Sequence, residues 1–118
     1  HFFDKKVMLK IFILPVLLII ISILWIIFPP KNRNYFYGYR TGTSMRSDEN
    51  WHLANHLSSR ILLLLSIVIL VIHTIATVVI EDPTNGIINV LVISYMIITF
   101  IVIPITELVL RSKIKSKN

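Results

Sequence analysis

Several features common in other proteins are missing from this 118-residue sequence. It contains no cysteine, which excludes disulfide bonds and thiolate chemistry and leaves the redox compartment undetermined. Its apolar runs lack the polar-apolar alternation of strands in a membrane barrel. We find no internal repeat and expect one domain. The loop between the first two apolar runs has no carboxylate pair at a spacing useful for acid-base catalysis, so we expect no enzyme.

Long apolar segments are what the sequence has instead. Hydrophobic residues make up 55% of the chain, and its mean hydropathy is +0.78. Three runs stand out, at about 11–28, 61–80 and 87–108. Roughly 20 apolar residues in a helix cross a hydrocarbon core of about 30 Å. Because helices satisfy their own backbone groups in lipid, we predict an all-α membrane protein with three transmembrane helices.

The first apolar run could also be a secretory signal peptide, because lysines precede it. Its exit, Phe28-Pro29-Pro30-Lys31, lacks a small-residue cleavage pattern, and the run is longer than a usual signal core. We therefore expect a retained membrane anchor.

The connections between the three runs differ in length. The segment from Glu81 to Gly86 has the composition of a tight turn, so the second and third helices are expected to form an antiparallel hairpin. The segment 29–59 is longer and is predicted to form an interfacial motif loop. Within it, Ser47 is expected to cap a helix that runs without a break into the second span.

The distribution of the 12 Lys and Arg residues predicts the orientation in the membrane. Three precede the first run, whereas nine lie in or next to the loop 29–59 or in the C-terminal tail. The positive-inside bias therefore places the loop and the C-terminus in the cytoplasm and the N-terminus outside. The net charge of +6 could suggest nucleic acid. A basic tail next to a span is better explained by anionic lipid headgroups, so the expected partner is the bilayer and not nucleic acid.

A dense polar motif occupies the loop and the start of the following helix. Its residues are Asn34, Gly38, Tyr39, Arg40, Thr41, Ser44, Ser47, Glu49, Trp51 and Asn55. Two interpretations stay open. In one, the motif is a structural latch in which Arg40 ties the loop to Asn55 or to helix ends and Trp51 anchors it at the membrane interface. In the other, the motif is a surface that binds a partner. A catalytic role is disfavoured because no nucleophile in the segment has an evident base.

The order Gly38-Tyr39-Arg40-Thr41-x-x-Ser44-Met45-x-Ser47-x-Glu49-x-Trp51-x-x-Ala54-Asn55 resembles the signature of the SdpI/YfhL family of bacterial membrane proteins. The resemblance implies a protein of the bacterial cytoplasmic membrane that protects the cell against a membrane-active toxin peptide. The founding member of the family also recruits a cytoplasmic repressor to the membrane. A platform for a cytoplasmic regulator is therefore an alternative, and a small oligomeric transporter or channel subunit is a third.

The chain departs from this family pattern in two respects. The best-known members carry an additional N-terminal membrane half, so a three-helix unit is expected to pair with itself as a homodimer. Gly42 and Ser59 stand where proline and glycine are common. Gly42 is still a turn former, and Ser59 is small enough for close helix contact.

Polar residues inside the predicted spans form a second candidate group: Ser66, His73, Thr77 and Asn89. His73 falls near the middle of its span, where a polar side chain normally faces a neighbouring helix. The candidate partners of His73 are Asn89, Tyr95, Thr99 and Ser22. A hydrogen bond between helices and a proton-responsive or toxin-contacting site are the two alternatives for this group.

Three smaller features of the sequence also lead to predictions. His52 and His56 are four residues apart, the spacing at which two imidazoles can share a metal, but a pair alone is weak support and we expect no metal and no cofactor. Glu107 precedes Arg111 by four residues, and the two are expected to form an ion pair on one helix face. Pro104 is expected to kink the third helix.

Overall fold

The computed structural model describes residues 5–34, 37–79 and 85–117, and within these ranges the fold is all helical. The three α-helices are α1 (Lys5–Ile27), α2 (Asp48–Val79) and α3 (Asn85–Lys117). A short 3-10 turn, Ser44–Arg46, precedes α2. No strand occurs among the described residues. The predicted helical class is therefore confirmed, and the molecule is elongated, with extents of 56 × 25 × 18 Å.

The helices differ in their capacity to cross a membrane. Both α2 and α3 are long and apolar enough to do so, whereas the apolar part of α1, Ile11–Ile27, is shorter. Large apolar side chains cover the outside of all three helices; on α3, for example, Phe100 is 66% exposed and Leu108 is 71% exposed. Contiguous apolar surface of this kind suits lipid as the solvent, as in a membrane protein.

One face of α2 is buried along its length. The buried residues are Trp51, Ala54, Asn55, Ser58, Ser59, Leu62, Ser66, Ile69 and His73. They recur every three or four positions, which is the spacing of one helix face. Four of the nine are alanine or serine, and such small residues allow close helix packing without help from the hydrophobic effect. This face allows α2 to contact both α1 and α3.

The pairing between α2 and α3 is antiparallel. Ala54, near the start of α2, packs in one cluster with Leu110, near the end of α3. His73, near the end of α2, bonds to Tyr95 in the first half of α3. These contacts confirm the predicted hairpin, although most of the predicted turn Glu81 to Gly86 lies outside the described residues.

The predicted boundary features of α2 and α3 fare differently. The helix that begins at Asp48 runs without a break to Val79, as expected. The helix α3 continues through Pro104, and the kink expected there stays a prediction.

Candidate functional site

The motif folds into a compact unit, here called the motif cap (residues 37–55), at the end of the helix bundle where α1 ends and α2 begins. Just before the cap, Asn34 Oδ1 accepts a hydrogen bond from the backbone N–H of Tyr37 at 2.7 Å. The Tyr37 hydroxyl donates to the carbonyl of Phe28 at 2.7 Å. These bonds attach the start of the cap to the end of α1.

Asn55 is the centre of the motif cap. Its Oδ1 accepts hydrogen bonds from the Tyr39 backbone N–H at 2.8 Å and from Trp25 Nε1 at 3.1 Å. Its Nδ2 lies 2.9 Å from the carbonyl oxygen of Trp51 and 3.4 Å from that of Tyr39. With these four partners, the hydrogen-bonding capacity of the side-chain amide is filled. One buried side chain therefore joins α1, the loop and α2.

The structure changes the expected roles of Arg40 and Trp51. The side-chain amide of Asn55 bonds to Tyr39, Trp25 and Trp51, so Asn55 is not the group to which Arg40 ties the loop. The alternative tie from the exposed Arg40 to a helix end stays a prediction. Trp51 is fully buried at 0% exposure and donates from Nε1 to the carbonyl of Pro30 at 2.9 Å, so it is an internal residue and not an interfacial anchor. A neutral amide is cheaper to bury than a guanidinium, which explains why Asn55 closes the latch.

Gly38 is required at its position for two independent reasons. Its φ of +109° lies in a region that L side chains rarely adopt. A Cβ atom at this position would lie 2.6 Å from Asn55 Oδ1 and 2.8 Å from Pro30 Cγ. A Cβ atom at Gly42, by contrast, would have nothing within 4 Å. The close approach of Gly38 is what brings the loop onto Asn55.

The cap is also joined to α3 through Glu107. The Tyr39 hydroxyl donates to Glu107 Oε1 at 2.9 Å, and the Thr41 hydroxyl donates to the same oxygen. Glu107 Oε2 lies 3.4 Å from Arg111 Nε, which confirms the expected ion pair. Burial, and then the hydrogen bond to the Glu107 carboxylate, raise the pKa of Tyr39, so its hydroxyl stays a neutral donor.

This second role of Glu107 was not predicted from the sequence. The sequence did offer one signal for it, an acidic residue at the end of an otherwise apolar run. An ion pair with the nearby Arg111 was a sufficient explanation for that residue, so no further partner was expected. No residue spacing within one segment could have indicated that Tyr39 and Thr41 would reach it.

The serines of the motif stabilise the turns that lead into α2. Ser47 Oγ accepts the backbone N–H of Asn50 at 3.0 Å, which confirms Ser47 as the helix N-cap. Ser44 Oγ lies 3.1 Å from the Tyr39 carbonyl oxygen and is buried. Glu49 is exposed in the first turn of α2, where its negative charge interacts favourably with the helix dipole.

A separate polar cluster, the His73 bridge, joins all three helices in the interior and consists of His73, Ser94, Tyr95 and the carbonyl of Ile11. His73 Nδ1 bonds to the Tyr95 hydroxyl, and Nε2 lies 3.1 Å from Ser94 Oγ. The Tyr95 hydroxyl donates to the carbonyl oxygen of Ile11 on α1.

Pro15 explains why Ile11 is the acceptor. Proline has no backbone N–H, so the carbonyl four residues earlier in a helix loses its usual donor. Ile11 is that residue, and both Ile11 and Pro15 are buried. An unpaired carbonyl in an apolar interior is costly, and the Tyr95 hydroxyl supplies the missing bond.

The other polar residues of the spans are not part of this bridge. Tyr95 is the candidate partner that His73 contacts, and Ser94 was not among the candidates. Asn89 is exposed. Four other hydroxyls named in the sequence analysis bond to carbonyls of their own helix: Ser22 to Leu18, Ser66 to Leu62, Thr77 to Thr74 and Thr99 to Tyr95.

The histidine pair on α2 does not gather further ligands. His52 and His56 are both exposed. Among the described residues there is no group of three His, Cys, Asp or Glu side chains placed to hold a metal. The absence of a metal or cofactor stays a prediction.

A cavity of about 360 Å³, here called the cap groove, lies between the motif cap and the helices. Its lining includes Trp25, Gly38, Arg40, Leu62, Thr99 and Val102. The floor is apolar and comes from the helices, whereas the charged Arg40 is exposed at its edge. The groove can therefore accept a molecule that has both apolar and polar parts.

Comparisons with known proteins show which family the sequence matches. The sequence profile of the SdpI/YfhL protein family matches residues 31–106. A protein of Bacillus subtilis (strain 168), "Uncharacterized protein YfhL", is 45% identical over 53 residues, which are 45% of this chain and 48% of that protein. The chain therefore spans about half the length of this relative. No solved structure matches the chain. Since the family match covers the motif cap, α2 and most of α3, the chain belongs to the SdpI/YfhL family.

Proposed function

We propose that all three helices span the bacterial cytoplasmic membrane, with the N-terminus outside and the motif cap and C-terminus in the cytoplasm. The apolar segment Ile11–Ile27 of α1 would be about 26 Å long at 1.5 Å per residue, which local thinning of the bilayer can match. The bond from Tyr95 to α1 supports a position of α1 beside the two longer helices. The asymmetry of basic residues supports the orientation.

The proposed function is protection of the cell against a membrane-active peptide, by binding the peptide before it assembles in the bilayer. The observation that carries this proposal is the cap groove, with its apolar floor and the exposed Arg40 at its edge. A peptide arriving from the lipid could place apolar side chains on the floor. The guanidinium could then bind a peptide carboxylate or carbonyl oxygens.

In this proposal the motif has both of the roles left open by the sequence. Its buried members, including Asn55, Trp51 and Gly38, hold the loop against the helices and so form the groove. Arg40 would contact the peptide. No step requires catalysis, a metal or a cofactor.

The test is survival of a sensitive bacterial host that produces the chain and is challenged with a membrane-permeabilising peptide. Wild type should preserve survival and membrane potential. Arg40→Gln removes the charge at the groove edge, and Thr99→Trp fills the groove from an exposed position on α3. Both variants should lose protection at unchanged abundance.

Matched controls separate the groove from general effects on charge or bulk. Lys31→Gln removes an exposed cation outside the groove, and Ile97→Trp adds the same ring to an exposed site on the same helix. Both should keep protection. Protection that is absent in wild type, or is equally weak in the groove and control variants, would refute peptide binding in the groove. If the groove variants kept protection but no longer recruited a cytoplasmic regulator, the platform alternative would be favoured.

A homodimer is part of the same proposal. Two three-helix units would associate into a six-helix assembly. Crosslinking in the membrane should give a dimer band. A strictly monomeric chain that still protects would remove the dimer from the proposal and leave the groove in place.

A further inference from the structure

A second cavity, here called the basic cavity, lies between the 3-10 turn and the end of α3, and its volume is about 540 Å³. Its lining is Thr43, Arg46, Asn50, Arg111, Ile114 and Lys115. Three of these six residues are cations. They come from two elements that are far apart in the sequence, so the fold and not a local run of basic residues brings them together.

The charges in the basic cavity are incompletely neutralised. Arg111 pairs with Glu107 at 3.4 Å. That carboxylate also accepts hydrogen bonds from Tyr39 and Thr41 in the motif cap. Within the described part of the chain, neither Arg46 nor Lys115 forms an ion pair. The cavity therefore carries excess positive charge.

We propose that the basic cavity binds a phosphate group, and specifically the phosphate of an anionic lipid headgroup. Guanidinium and ammonium groups are the usual ligands of phosphate, and they form strong charge-assisted hydrogen bonds. The Asn50 amide donates to the Thr43 carbonyl at 3.1 Å, which holds the wall of the cavity in place. Ile114 adds an apolar wall against which the glycerol part of a lipid could pack.

The position of the cavity favours a lipid over a soluble anion. On α3 the apolar surface extends to Leu108, and the cavity residues Arg111, Ile114 and Lys115 follow within the next two turns. This is the depth at which phosphates of a bilayer are found. The proposal is independent of peptide binding in the cap groove, which has a different lining.

In the test, the full chain is placed in nanodiscs that contain equal amounts of phosphatidylglycerol and phosphatidylcholine. The chain is then released in the mass spectrometer, and native mass spectrometry measures how much phosphatidylglycerol stays bound to it. Wild type should retain phosphatidylglycerol selectively. Arg46→Gln combined with Lys115→Gln should weaken this retention by roughly 10- to 30-fold, as expected for two lost charges at a membrane surface. Arg46→Lys combined with Lys115→Arg keeps both charges and should keep most of the binding.

The control removes two cations from outside the cavity, by Lys31→Gln combined with Lys113→Gln. It should retain phosphatidylglycerol as wild type does, within about twofold. An equal loss in the cavity and control variants would show diffuse attraction by the basic surface and overturn the proposal. So would undiminished retention by the cavity variant.

A second measurement separates the two sources of phosphate. Inorganic phosphate is titrated into the detergent-solubilised chain while thermal unfolding is followed. The lipid proposal predicts no more than a general salt effect, equal in wild type and the cavity variant. A stabilisation by phosphate that chloride does not reproduce, and that the cavity variant lacks, would assign the site to a free anion and overturn the assignment to a lipid.

Discussion

The motif cap and the middle of the helix bundle both contain backbone groups without a backbone hydrogen-bond partner, but they use different numbers of polar side chains to bond to them. At the cap the chain leaves α1 and must satisfy an irregular backbone, so Asn55, Ser44 and Asn34 bond to main-chain groups. In the middle of the bundle the backbone N–H and C=O groups form hydrogen bonds within each helix. There Tyr95 bonds to Ile11, where Pro15 interrupts the helical pattern.

Polar side chains in this apolar protein lie where the backbone lacks hydrogen-bond partners of its own. At both places a side chain replaces a backbone partner that the local conformation cannot provide. The cap requires many such bonds because it is a loop, and the bundle requires few. Changes at the cap should therefore have larger effects on stability than changes at the His73 bridge.

The largest effect is expected for Gly38→Ala. The unfavourable φ and the contacts with Asn55 and Pro30 together should lower the free energy of unfolding by about 2 to 5 kcal/mol. Gly42→Ala is the matched control and should change it by less than about 0.5 kcal/mol, because that position faces open space. Thermal unfolding in detergent measures both. Similar melting temperatures for the two variants would contradict the close packing of Gly38.

The next largest effect is expected for Asn55→Ala. It leaves the buried backbone N–H of Tyr39 and the ring N–H of the half-buried Trp25 without an acceptor, which should cost about 2 to 4 kcal/mol. Asn55→Asp keeps the acceptor but loses the donor to the Trp51 carbonyl, so it tests which half of the amide matters. Asn89→Ala, at an exposed site, is the control. If Asn55→Ala melts with wild type, the latch does not depend on this amide.

A moderate effect is expected at the His73 bridge. Tyr95→Phe removes the donor to the Ile11 carbonyl and should cost about 0.6 to 1.7 kcal/mol. Pro15→Ala restores a backbone N–H to that carbonyl, so the same tyrosine change should cost less in the Pro15→Ala background. Unfolding in detergent of the four proteins of this cycle gives the coupling. Equal costs in both backgrounds would show that Tyr95 does not compensate for Pro15.

Much of the fold could be predicted from the sequence, because it depends on signals within single segments. The apolar runs predicted helices, and the Ser47 cap and the pairing of Glu107 with Arg111 follow from local spacing. Pairing between segments was harder. A bond from Arg40 to Asn55 was expected because the Arg40 side chain offers several hydrogen-bond donors. In the structure Asn55 bonds to Tyr39, Trp25 and Trp51 instead, because a neutral amide is cheaper to bury than a charged guanidinium.

The two sites differ in what the sequence could reveal of them. The motif identified the cap, but the contacts of Glu107 depend on how the end of α3 packs against the loop. In the bundle, His73 and Tyr95 were recognised as candidate partners. The third member, the Ile11 carbonyl, was not predicted. Its prediction would have required two facts together: Pro15 removes the usual donor of this carbonyl, and a hydroxyl on another helix can replace that donor.

The last prediction concerns which end of the molecule is cytoplasmic, and it should leave stability unchanged. The chain has no cysteine, so an introduced one is the sole target for a thiol reagent. Gly42→Cys places a thiol on the motif cap at an exposed position with open space around it. Asn85→Cys places one at the opposite end of α3 from the basic tail.

A membrane-impermeant reagent applied to intact cells should modify Asn85→Cys and spare Gly42→Cys until the membrane is opened. The reason is the excess of Lys and Arg at the cap and the tail, which resists transfer across the membrane. Modification of Gly42→Cys from outside would place the motif cap on the external face. Peptide binding in the cap groove would then occur before the peptide enters the bilayer, and a cytoplasmic regulator could not be a partner of the cap.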